Sequence, residues 1–185
     1  MVPASTSRLI IVSGVPGSGK STLGRPIAGR LGVPFLDKDD YLEDLFETDN
    51  VSSEERSELS RRADELMLAD VAESVSSVVV SFWRRSELSR TSGTPIDRFP
   101  SSDEVVELWC DCPVEVAVDR FLSRRRHRAH GDDFKSRAEI LNQFERLAGL
   151  GPLGVGRVVR VDTAGPVDVA SLLELIDSPH CRAEP

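Results

Sequence analysis

Lysine is scarce in this chain, with 3 lysines beside 20 arginines among 185 residues. Where arginine serves almost everywhere as the cation, a remaining lysine marks a place that calls for a compact point charge. That singles out Lys20 and, less directly, Lys38. Aromatic residues make up only 5% of the chain, with 2 tryptophans and 1 tyrosine, and no basic aromatic stretch suits stacked nucleic-acid bases. Cysteine is limited to Cys110, Cys112 and Cys181, an odd number without zinc-ligand spacing or a disulfide framework. No apolar run approaches the roughly 20 residues of a membrane span, and the first seven residues are too short and polar for a signal peptide. The expectation is a soluble, cytoplasmic protein without a membrane partner. Internal repeats and low-complexity linkers are also missing, so one domain over residues 1–185 is expected.

Positive charge is in deficit: the net charge is −8, which disfavours a broad grip on nucleic acid and suits an enzyme of small substrates. Its distribution is uneven. Asp37 to Glu73 holds 14 acids against 4 cations, whereas Arg120 to Arg137 holds 7 cations against Asp132 and Asp133. Such a division fits a polyanionic donor meeting a neutral or cationic acceptor; many of these acids also serve to solvate helices.

What is present begins with the apolar run Leu9-Ile10-Ile11-Val12, followed by Gly14-Val-Pro-Gly-Ser-Gly-Lys-Ser21. Glycines at 14, 17 and 19 let the backbone turn several N–H groups into one concavity, and a helix starting near Gly19 adds its positive end. This is the spacing of a phosphate-binding loop. Lys20 is expected to reach the β/γ-phosphates of a nucleotide and Ser21 Oγ to ligate Mg²⁺, with Pro16, Ser18 and Thr22 completing the segment.

Strand-like runs at Arg8–Ser13, Pro34–Leu36, Ser77–Phe82, Val105–Cys110 and Arg157–Val161 alternate with helical patterns. That alternation predicts an α/β fold, a five-stranded, mostly parallel sheet with helices on both faces. A long helix is predicted from Ser52, with Glu55 completing a capping box, burying Leu59, Ala63, Leu66, Met67 and Val71. A second capping box, Ser136 with Glu139, opens a helix burying Ile140, Phe144 and Leu147, and a last helix spans about 169–176.

After the second strand comes Asp37-Lys38-Asp39-Asp40-Tyr41. Ligand crevices of open parallel sheets lie beyond the C-terminal strand ends, so these carboxylates face the phosphate loop. Asp37 and Asp39, two apart, are expected on one side of an extended segment, Asp37 beside the metal and Asp39 as base or orienting group for an acceptor hydroxyl. The same acids suit a helix N-terminus, with Asp40 as its cap, and both readings stay open here. Arg120, Arg124 and Arg128 recur every four residues, predicting three guanidinium groups along one helix face and a mobile cover over about 124–136. Arg84 and Arg85 follow the third strand, which lacks a terminal carboxylate.

These segments together resemble the small P-loop kinases with a nucleoside-monophosphate-kinase-like fold. The branch nearest in pattern holds chloramphenicol phosphotransferase, zeta toxins, and gluconate and shikimate kinases. The resemblance implies a three-layer kinase fold with a short Arg-rich lid, ATP and Mg²⁺, and transfer to a hydroxyl. It implies that Asp39 positions the acceptor, that Arg124 and Arg128 clamp the phosphates, and that Arg120 and the loop from Thr163 border the adenine. The Gly-Gly-Gly that shikimate kinases carry after strand three is replaced by Ser81-Phe82-Trp83-Arg84-Arg85. The expected activity is ATP-dependent phosphorylation of a small molecule such as a sugar, an aminocyclitol-like metabolite or an antibiotic. Two alternatives are a polynucleotide 5′-hydroxyl kinase, which the −8 charge disfavours, and a nucleotide-binding switch, although no Asn-Lys-x-Asp motif occurs.

Overall fold

The computed structural model describes residues 7–49, 56–80, 83–84, 94–95, 98, 101–124, 127–130 and 136–178. In chain order the elements are β1 (Arg8–Ser13), α1 (Lys20–Leu31), β2 (Phe35–Asp37), α2 (Lys38–Asp49), α3 (Arg56–Glu73) and β3 (Ser76–Val80). There follow β4 (Trp83–Arg84), β5 (Thr94–Pro95), β6 (Glu104–Asp111), α4 (Val114–Ser123), a 3₁₀ turn at Arg128–His130, α5 (Arg137–Ala148), β7 (Arg157–Asp162) and α6 (Val169–Asp177).

Five strands form one parallel sheet in the order β2-β3-β1-β6-β7, and β4 pairs with β5 as a separate two-residue ladder. Strand β1 is central and β-branched, and it buries both faces because helices cover both. Ile10 and Val12 meet α1 and α6 on one face. Leu9 and Ile11 meet Met67 and Val71 of α3 on the other. The α/β three-layer architecture is thus as expected.

Buried polar contacts fix the connections. Glu107, fully buried in β6, accepts from Ser13 Oγ (2.5 Å), Leu153 N–H (2.7 Å) and Gly154 N–H (2.8 Å). It holds the connection into β7 in place; an unpaired carboxylate at that depth would be costly. The Ser136–Glu139 capping box is formed, and α5 buries Ile140 and Phe144.

Some expectations need correction. Ser52 and Glu55 lie outside the described residues, and Leu66 is 43% exposed, because the buried stripe of α3 runs through Leu59, Ala63, Met67 and Val71 at four-residue steps. Residues 38–49 form a helix, so Asp39 does not continue an extended segment beyond Asp37. The arginine series does not share a helix: α4 ends at Ser123 and Arg124 is extended, with φ −88° and ψ 140°. Continuing α4 would stack like charges four residues apart, which weakens a helix.

Candidate active site

The loop between β1 and α1 is built on backbone conformations that only glycine adopts readily. Gly17 has φ +80°, and a Cβ there would lie 2.2 Å from Ala117 O of α4. The loop therefore sits hard against α4. Gly19, φ 96°, caps the N-terminus of α1. Lys20 Nζ donates back across the loop to Gly14 O (3.1 Å) and Val15 O (3.0 Å). Burial lowers the Lys20 pKa, and nearby Asp39 and Asp37 oppose that shift.

Asp37 closes β2 and is 5% exposed. Its Oδ2 accepts from Ser21 Oγ at 2.6 Å and its Oδ1 from Asp39 N–H at 3.2 Å. Asp37, not Asp40, thus caps the start of α2, and Asp40 instead pairs with Arg25 at 2.9 Å. Burial raises the Asp37 pKa, partly offset by the Ser21 hydroxyl. Lys38 turns away from this site into a buried pair with Asp64 at 2.8 Å, and Thr94 Oγ1 donates to the same carboxylate. That pair is a structural tie between α2 and α3.

Opposite the loop, Arg120 donates to Thr163 O (2.8 Å) and Ala164 O (2.6 Å), joining α4 to the segment after β7. One cleft of about 940 Å³ gathers Pro16, Gly17, Gly19, Lys20, Ser21, Thr22, Asp37, Asp39, Arg120, Arg124 and Thr163 on its wall. It opens beyond the C-terminal strand ends, where parallel sheets bind ligands. Gly14 and Ser18 are not on its wall; Ser18 is fully buried beside Cys110, whose thiol burial pushes up to about 12. Arg128 contributes backbone to the 3₁₀ turn, and the rest of the expected cover, 125–126 and 131–135, lies outside the described residues, as does Arg85.

Sequence reasoning passed over His130 as a site residue. It lines the cleft with its side chain 7% exposed, Nε2 2.8 Å from Glu43 Oε1 and Nδ1 3.9 Å from Asp39 Oδ1. A legible signal existed in the facing charge runs, since Asp39, Glu43 and Glu47 recur every four residues and His127 and His130 follow the arginines.

The donor set suits a nucleotide phosphate chain and Mg²⁺: a lysine, a hydroxyl paired with a carboxylate, and glycines whose conformation turns amides inward. Among the described residues no group of three or more His, Cys, Asp or Glu gathers to hold a metal by itself. Mg²⁺ held with few protein ligands alongside phosphate does not need one. No described helix is long and apolar enough to cross a membrane.

A family model described as an AAA domain matches residues 9–149. The chain belongs to this family. Its fold is that of the small P-loop kinases within the nucleoside-monophosphate-kinase-like group. A shikimate kinase of Corynebacterium glutamicum is 34% identical over 119 residues, covering 63% of this chain and 66% of that one. A shikimate kinase of Paracidovorax citrulli is 63% identical over 30 residues, 16% of each chain. The chain thus spans less than two thirds of these curated relatives. Among solved structures, a protein of Chloroflexus aurantiacus described provisionally as a kinase superposes with a TM-score of 0.67 at 26% identity, covering 92% and 94% of the chains. A sugar kinase of Janibacter sp. gives 0.53 at 25% identity, with 92% of each covered.

Proposed function

We propose that this chain is an ATP-dependent small-molecule kinase that transfers the γ-phosphoryl group to a hydroxyl of a neutral or cationic acceptor. One observation carries the reading: the P-loop groups Lys20 and Ser21 and the strand-end carboxylates Asp37 and Asp39 share a single cleft with Arg120 and Arg124. The kinases among the relatives support the reaction class.

In this reading the loop amides and Lys20 hold the phosphate oxygens, and Ser21 with Asp37 holds Mg²⁺. When bound, Mg²⁺ supplies neutralisation of charge on the transferred group. Asp39 orients the acceptor hydroxyl and accepts its proton as that oxygen bonds to phosphorus and the bond to the ADP oxygen breaks. Arg124 and Arg128 stabilise the charge spread over the phosphoryl oxygens. Arg120 and Thr163 border the base.

Shikimate, named in the relatives, is an acid, whereas the acceptor side here carries Asp39, its side chain half exposed on the cleft wall. Shikimate therefore belongs in the test as the anionic arm. ADP release from Mg·ATP is measured with sugars, aminocyclitols, antibiotics, nucleosides, 5′-hydroxyl oligonucleotides and shikimate, and the product is checked as a phosphomonoester by mass spectrometry. Neutral or cationic acceptors are expected to lead. A preference for shikimate or oligonucleotides contradicts the acceptor class, and stimulation by no acceptor favours a nucleotide switch.

A further inference from the structure

The turn Arg128–His130 is seated against the acidic wall of the cleft. Ala129 is fully buried in an apolar cluster with Leu42, Leu45, Leu59 and Ala63, so packing against α2 and α3 holds the turn. His127 lies edge-on to Phe46, with ring centroids 5.5 Å apart, and its Nε2 is 3.4 Å from Glu47. His130 lies one turn of α2 nearer the phosphate loop, between Glu43 and Asp39.

These two histidines do different work. A carboxylate on one imidazole nitrogen fixes the ring's orientation and aims the other nitrogen at a defined point. In His130 the held nitrogen is Nε2, on Glu43, and the aimed one is Nδ1, facing Asp39 at 3.9 Å. That separation is too long for a hydrogen bond, so the contact acts by limiting where the Asp39 carboxylate can sit. His127 also packs on α2, but its Nε2 faces Glu47 and its Nδ1 accepts from Ala129 N–H (3.3 Å), so neither nitrogen faces Asp39.

We infer that His130, anchored by Glu43, is the positioning residue for Asp39. The inference rests on Asp39 facing the acceptor hydroxyl. Its effect belongs in kcat, because the groups assigned to holding ground-state ATP, Lys20, Ser21, Arg120 and Thr163, lie on the phosphate loop, α4 and the segment after β7, while Arg124 and Arg128 are assigned to the transferred group. A displacement of about 1 Å in a reacting group can lower a rate on the order of 10²-fold.

The test compares His130→Gln, His130→Asn, His127→Gln, Asp39→Asn and the His130→Gln/Asp39→Asn double variant of the full chain. ADP release from Mg·ATP with water as acceptor is measured, and ATP affinity and melting temperature report on folding. Asp39→Asn is expected to lower kcat by about 10²-fold. Each His130 variant should lower it by about 10-fold or more with KM for ATP unchanged, and the double variant should be no slower than Asp39→Asn. His127→Gln should stay within about twofold of the parent, since it disturbs the docking without touching Asp39. Unchanged kcat in Asp39→Asn overturns the reading of Asp39 itself. A slow Asp39→Asn beside normal His130 variants, equal losses from His127→Gln, or losses that multiply in the double variant each overturn the positioning role alone.

Discussion

Asp37 accepts from Ser21 Oγ and Asp39 N–H while burial raises its pKa above the ordinary 3.8. Because the folded value is raised, this group's contribution to stability is fully present below the unfolded pKa and is lost as pH rises through the folded one. At neutral pH the ionised form therefore burdens the fold in the absence of a cation, and a cation relieves it. Asp37→Asn is expected to match or exceed the parent's melting temperature at pH 7, with the difference vanishing in acid, by calorimetry across pH. The same variant should require at least about 10-fold more Mg²⁺ for half-maximal turnover. A melting temperature that falls more at pH 7 than in acid contradicts this account. At this scale the phosphate loop was fully legible, since its chemistry dictates both residue type and spacing. The types of Asp37 and Asp39 were legible too, but the partners of Lys38 and His130 were not, because both are set by elements distant in sequence.

Elements carry the site by pressing on one another. The loop meets α4 at Gly17, where a side chain would require both a left-handed backbone and displacement of the Ala117 carbonyl. Gly17→Ala is expected to destabilise the protein by about 2–4 kcal/mol in urea unfolding, combining the conformational and overpacking costs. An effect below about 1 kcal/mol would show that the loop and α4 part easily. The sheet was readable because β-branched runs recur between helical patterns. The start of helix α2 is ambiguous in sequence, since Asp37-Lys38-Asp39 alternates like a strand while Tyr41, Leu42, Leu45 and Phe46 trace a helical stripe, and the structure takes the helical alternative. The four-residue recurrence of arginine points to a longer α4, and repulsion among those same charges favours its end at Ser123.

The net charge of the whole chain is −8, and part of its acidic block is turned toward the cleft and the turn at Arg128–His130. The acids of α2 meet the histidines of the basic segment, Glu43 with His130 at 2.8 Å and Glu47 with His127 at 3.4 Å. The acidic helix α2 and the histidines within the arginine-rich segment are therefore neighbours in the fold. Asp39 stays on the cleft wall with its side chain 52% exposed, across from Lys20 and Arg124. The most direct test of phosphoryl transfer at this cleft is acceptor-stimulated ADP release from Mg·ATP, compared between the parent and its Lys20→Ala and Asp39→Asn variants. The account predicts that the stimulation falls by about 10²-fold or more in both, with ATP still bound by Asp39→Asn. Stimulation that survives in Asp39→Asn at the parental level would contradict it.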